Sequence, residues 1–237
     1  MIANFFVRMI LSPIIIPQGI IVQKNIEKLP EPMCQRHGNQ GQGPTLRLLV
    51  LGDSAAAGVG VSTLQQSLSG NLVSTLSQHF DVHWQVIAKS GATSKSTLKH
   101  IEKIDPQHFD VAVVSLGVND VTSGMRLKVF LNTQQKIFNV LRDKFGVSQI
   151  VVSGFPPVGK FPALPHPLRW YLGYLSSEFD QNLQTLIKTN DIDYIKQNLI
   201  EDPKMMATDG FHPGPEIYKI WGKTASEKIL VKRKEQV

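Results

Sequence analysis

The chain has 237 residues and a single cysteine, Cys34, which excludes an intrachain disulfide and leaves apolar burial to build the core. Its 42% apolar and 19% charged content is that of a folded domain, so a disordered chain is excluded as well. The net charge of +6 raises a nucleic-acid or anionic-surface reading. The basic residues are scattered, however, apart from Lys228, Lys232, Arg233 and Lys234, which also complement the end of a final helix. No nucleic-acid motif accompanies them, and no Cys/His cluster has zinc-ligand spacing, so neither a nucleic-acid partner nor a bound metal is expected.

Residues 1–45 form an expected apolar arm and linker. Residues 1–22 carry Arg8 as their only charge, and the charge-free run from Met9 to Val22 is 14 residues, shorter than a bilayer-spanning helix needs. Pro13 and Pro17 would kink a helix there. A cleaved signal peptide would show a more basic start and a small-x-small site, and neither is present. An exposed apolar segment of this length is costly in water. It therefore either meets a membrane surface, the favoured reading, or packs on the domain as part of a soluble cytoplasmic protein. Residues 30–45 are rich in Pro, Gly and Gln and read as a linker.

From residue 46 to 237 the pattern alternates. Strands are expected at 46–51, 82–88, 111–116, 149–153 and, short, at 193–195, because each is an apolar or β-branched run. Helices are expected at 62–79, 94–103, 127–144, 168–189 and 214–231 from apolar spacing of three and four. Such alternation implies a parallel sheet covered on both faces, whose ligands gather at the carboxyl ends of the strands.

Each post-strand loop is therefore a candidate to carry chemistry. Gly52-Asp53-Ser54 follows the first strand. Ser54 is either a nucleophile beside helix-start amides, or a helix-capping serine. Gly91 follows the second and offers an unobstructed amide to an oxyanion, or simply makes a turn. Asn119 follows the third and offers a side-chain N–H, or serves the local turn. Near the end, Asp209 and His212 share one loop. A histidine base activates a serine hydroxyl, and a carboxylate fixes its tautomer. His79, His83, His100 and His108 occupy surface or strand-flanking positions and read as structural or solvated.

GDSAAAG, SGATS, GVND and DGFHPG, in that order across residues 46–230, resemble the four signature blocks of the SGNH/GDSL hydrolases. The resemblance implies a flavodoxin-like three-layer α/β/α sandwich with a five-stranded parallel sheet. It implies Ser54 as nucleophile, His212 as base, Asp209 as third triad member, and an oxyanion hole from Ser54, Gly91 and Asn119. Carboxylic esters would be cleaved through an acyl-enzyme without any cofactor. Carbohydrate deacetylation, thioester or lysophospholipid cleavage would use the same machinery, and a membrane-associated binding module with an inactive fold is the non-enzymatic alternative. For substrate contacts the candidates are Asp53, Phe155, Pro157, Phe161 and Trp170. Their aromatic, proline-rich segment either walls an acyl site or packs the loop onto the next helix. With the apolar arm, a small-molecule or lipid-like ester is the expected substrate. No obligate protein partner is evident.

Overall fold

A computed structural model describes residues 2–33, 35–197 and 202–234. Cys34 lies outside the described residues. The chain opens with helix α1 (Ile2–Asn25), then strands β1 (His37–Gln40) and β2 (Thr45–Gly52). Helices α2 (Ser54–Ala57) and α3 (Leu68–Leu76) lead to β3 (Asp81–Ala88) and α4 (Ser94–Ile101). Next come β4 (Val111–Ser115), α5 (Val118–Thr122), α6 (Leu127–Asp143) and β5 (Gln149–Ser153). Helix α7 (Leu168–Thr189), β6 (Asp193–Ile195) and α8 (Pro215–Lys234) complete the fold.

Alternation within the central strands builds two cores, because successive side chains point to opposite faces. Leu49, Leu51, Ala112, Val114, Ile150 and Val152 join one buried cluster with α4, α6 and α7. Leu48, Val50, Val111, Val113 and Val151 join the other with α3 and α8. Both faces are dry, which explains the unbroken apolar runs in the sequence. The result is an α/β sandwich with a mostly parallel sheet.

Among the described residues the sheet has six strands, not five, in the order β1-β3-β2-β4-β5-β6. Strands β2 to β6 are mutually parallel, as expected. The sixth, β1, falls inside the expected linker and pairs antiparallel with β3 from His37↔Gln85 to Gln40↔Val82. It is a short, polar edge strand, and backbone pairing rather than apolar burial defines it. Gly38 permits the fit: a Cβ there would sit 3.0 Å from the Trp84 ring.

The expected helix over 62–79 is broken. A 3₁₀ turn at Leu64–Gln66 precedes α3, and Ser67 separates them, donating to Leu64 O at 2.6 Å and capping Gly70 N at 3.2 Å. A Cβ on Gly70 would lie 1.9 Å from Leu64 O, so this tight corner requires glycine.

Helix α1 runs through Pro13 and Pro17 and rests on the α7 side. Ile15 is buried in the core, with Leu11 and Val22 packed beside it. Gln18 accepts from Leu168 N at 3.1 Å and donates to His166 O at 2.7 Å. The following residues stay on the domain too: Thr208 donates to Glu27, and Glu31 receives both the amide and hydroxyl of Ser90. Among the described residues no helix is long and apolar enough to cross a membrane.

Candidate active site

The parallel strands run in the order β3-β2-β4-β5-β6, so sequence order reverses between β2 and β4. Loops leaving those two strands diverge at such a switch point and open a crevice at the carboxyl edge. Ser54 follows β2 there, and Asn119 follows β4. The two strand ends touch closely: a Cβ on Gly52 would lie 2.3 Å from Ser115 O.

Ser54 is the first residue of the one-turn helix α2, and Asp53 is its N-cap, accepting from Ala55 N at 3.0 Å. That position leaves the Ser54 amide without an intrahelical acceptor. The hydroxyl meets His212 Nε2 at 2.9 Å, and His212 Nδ1 meets Asp209 Oδ2 at 2.5 Å. Asp209 also folds its own loop. Its Oδ1 accepts from Phe211 N at 2.9 Å and His212 N at 3.0 Å, while Gly210 takes the left-handed φ of 62°. One carboxylate oxygen shapes the turn and the other holds the ring.

Burial opposes charge on Asp209, yet the hydrogen bonds from the His212 ring and from the His212 and Phe211 amides, with the His212 charge, hold its pKa below the ordinary carboxylate value. An ionised Asp209 requires the proton on His212 Nδ1, which leaves Nε2 to accept from the Ser54 hydroxyl. Serine hydroxyl, imidazole and carboxylate thus form one continuous hydrogen-bonded line.

Asn119 donates to Ala92 O at 3.1 Å and reaches Asp53 Oδ2 only at 3.5 Å. The Asn119 contact ties the β4 loop to the turn that carries Gly91, which is exposed and has φ 76°. Behind it, Asp120 is wholly buried and accepts from Ser94 N and Ser94 Oγ, whose oxygen in turn receives Gln134 Nε2 at 2.8 Å. Burial raises the Asp120 pKa to about 6. Burial likewise raises that of Asp53 to about 6, against the opposing pull of the Ala55 amide and His212.

A cleft partly open to solvent surrounds Ser54, Asn119 and His212. Phe155 and Phe161 line it, and Phe161 packs edge-on against Phe211, which packs against the His212 ring. Asp53 lines it too, but its carboxylate is committed to the α2 cap. Pro157 and Trp170 are not among the lining residues. Pro157 starts a 3₁₀ turn, and Trp170 sits on the first turn of α7, 50% exposed and stacked on Tyr174. The aromatic segment thus divides between the cleft and the surface of α7. Gly91 is also not among the lining residues.

Sequence reading missed Phe211, Ile217, Trp221 and Gln197, all of which line the cleft. Phe211 stands inside the Asp209–His212 loop, and Gln197 stands two residues past β6, where the post-strand rule points. Among the described residues no group of three or more His, Cys, Asp or Glu side chains is arranged to hold a metal ion.

Comparison with known proteins identifies the family and the fold. The family model described as GDSL-like lipase/acylhydrolase matches residues 50–220. An arylesterase of Vibrio mimicus is 28% identical over 173 residues, covering 72% of this chain and 81% of that protein. Among solved structures, a lipolytic protein of the G-D-S-L family from Veillonella parvula superposes with a TM-score of 0.61 at 14% identity, over 77% of this chain and 97% of that one. The psychrotrophic esterase EstA from Pseudoalteromonas sp., inhibited by monoethylphosphonate, gives 0.58 at 17% identity, over 78% and 98%. At these identities the structural likeness speaks for the fold.

Proposed function

The chain belongs to the GDSL-like lipase/acylhydrolase family and is an ester hydrolase, and from that premise we propose that it cleaves carboxylic esters with Ser54 as nucleophile, His212 as base and Asp209 as the group that orients the base. The observation that carries the proposal is the unbroken contact from Ser54 Oγ to His212 Nε2 and from His212 Nδ1 to Asp209.

Ser54 Oγ attacks the ester carbonyl carbon while His212 Nε2 takes its proton. The carbonyl oxygen gains the negative charge and receives the Ser54 amide, the Gly91 amide and the Asn119 side-chain N–H. Asp209 stabilises the imidazolium without itself taking the proton. As the C–O bond breaks, His212 returns the proton to the leaving alkoxide and an acyl-Ser54 ester remains. Water, deprotonated by His212, then releases the acid and restores the hydroxyl. The aromatic and aliphatic lining of the cleft supports an apolar substrate group beside the ester.

The test is hydrolysis of p-nitrophenyl esters from acetate to decanoate by wild type and Ser54→Ala. Turnover that rises with acyl length and vanishes in the variant is expected. Equal turnover by the two proteins contradicts the assignment of Ser54, and a flat length profile contradicts the apolar substrate group.

We also propose that the enzyme meets its substrate at a lipid surface through α1. Leu11, Ile15 and Val22 face the domain, whereas Ile14, Ile16, Ile20 and Ile21 are exposed on the outward side. A water-facing helix side normally carries polar residues, and an apolar one is suited to the headgroup–acyl boundary. Vesicle sedimentation of wild type against the fourfold Ile→Ser variant tests this: binding lost in the variant is expected, and equal binding contradicts it.

A further inference from the structure

Burying an amide donor without a hydrogen-bond partner is unfavourable, so such groups are rare in folded proteins and call for a reason. Gln197 is 5% exposed, and its Nε2 has no hydrogen-bond partner among the described residues. It is also the one residue with such an orphaned side-chain atom, among the described residues, that lines the cleft around Ser54 and His212. Of the other side-chain N–H donors lining the cleft, Trp221 Nε1 is used on Ser153 Oγ at 2.9 Å, and Asn119 Nδ2 gives one of its two N–H groups to Ala92 O, the other being the one assigned to the oxyanion.

Topology puts Gln197 in this position. It leaves the carboxyl end of β6, and Gly154, at the exit of β5, donates its amide to Ile195 O at 2.8 Å. This bond sets the β6 exit beside the Phe155 side of the cleft. The surroundings are apolar, with Phe155, Phe161, Phe211 and Ile217 sharing the lining. In such surroundings a carboxamide N–H gains most from an acceptor that the substrate itself brings.

We propose that Gln197 is a specificity-determining residue that donates from Nε2 to an oxygen carried by the substrate group filling the cleft, so that an ether-, hydroxyl- or carbonyl-bearing ester is preferred over its plain alkyl counterpart. The inference rests on ester hydrolysis at Ser54 and names the substrate class of that site. An apolar pocket with one donor accepts an alkyl chain but discriminates for a chain carrying an oxygen at the matching position. The oxygen belongs to either the acyl or the alcohol half of the ester, and the chemistry of recognition is the same.

Two isosteric pairs separate these sources. On the acyl side, p-nitrophenyl pentanoate is compared with p-nitrophenyl β-methoxypropanoate. On the alcohol side, butyl acetate is compared with methoxyethyl acetate. Each kcat/KM ratio is measured for wild type, Gln197→Met and Gln197→Leu, corrected for the uncatalysed reactivity of each ester. One hydrogen bond made to only one member of a pair gives about a tenfold preference. The expected result is such a preference for the ether in one series with wild type, falling to parity or reversing in both variants, with the responsive series identifying the half of the ester that fills the cleft. Ratios near one in both series, or a preference that survives in both variants, overturn the proposal. Thermal melting gives a readout independent of turnover. Replacing an unpartnered amide by an apolar side chain is expected to leave Tm level or higher, and a marked drop in both variants means that Gln197 serves the fold instead. No turnover of any ester by wild type overturns the hydrolytic reading itself, a result distinct from turnover without ether preference.

Discussion

At the amino edge of the sheet, His83 touches Asp81 at 2.9 Å and His108 touches Asp110 at 3.3 Å. At the carboxyl edge, His212 touches Asp209. The residue types are the same, but the surroundings differ. The side chains of His83 and His108 are 49% and 56% exposed, whereas that of His212 is 19% exposed and the Asp209 side chain is fully buried. Asp110 Oδ2 is occupied by the Arg47 amide, and Asp110 Oδ1 meets a solvated ring. Water screens such pairs, and they contribute little. The carboxyl-edge pair is largely buried and anchored by two backbone amides, and its ring reaches a serine at the switch point. An Asp–His contact becomes chemistry only where the fold removes water and supplies the third group.

That contrast can be broken in graded steps. Ser54→Ala removes the proposed nucleophile, and a loss of about 10⁴–10⁶ in kcat is expected, read as initial rates on a short p-nitrophenyl ester. Asp209→Asn retains an oxygen for the Phe211 and His212 amides but offers an N–H to Nδ1, which selects the wrong tautomer. Its kcat should fall by about 10⁴ with the fold intact by circular dichroism. Asn119→Ala removes one proposed oxyanion donor, for an expected loss of about 10²–10³ in kcat.

The next effect is on stability rather than rate. Asp120 keeps its proton up to about pH 6 when folded, against an ordinary value of 3.8. Between those pH values the folded state binds a proton that the unfolded chain has released, so this group makes stability fall as pH rises through the window. Asp120→Asn should flatten that slope in urea titrations between pH 4 and 6, and an unchanged slope assigns the pH dependence elsewhere. The smallest effect is expected at the other edge. His108→Ala should leave kcat unchanged and shift unfolding by no more than about 0.5 kcal/mol in the same titrations. A large rate loss there would erase the distinction between the two edges.

The sequence made the buried strands legible because each is dry on both faces, so Leu48 to Leu51 and Val111 to Val114 read as unbroken apolar runs. Ser54, Asn119, Asp209 and His212 were legible for another reason: each stands in a loop at a strand exit or helix entry, in signature order. Strand β1 was not, because His37 to Gln40 satisfy a neighbour's backbone and bury little of their own side chains. From sequence, Trp170 stood open between walling an acyl site and packing the loop onto the next helix, whereas the phase of α7 turns it outward onto Tyr174. Gln197 was silent because neither its place in the cleft nor its unpartnered amide exists until distant segments of the chain come together. Local pattern reports what a segment buries, and long-range closure decides what a site lacks.

The most direct test of the account is fluorophosphonate labelling of the folded wild-type protein, followed by peptide mapping and parallel assay of ester turnover. The account predicts a single adduct on Ser54, formed as turnover is lost, and little or no adduct in His212→Ala. A folded protein that stays unlabelled, or one labelled at another serine while turnover is lost, would contradict it.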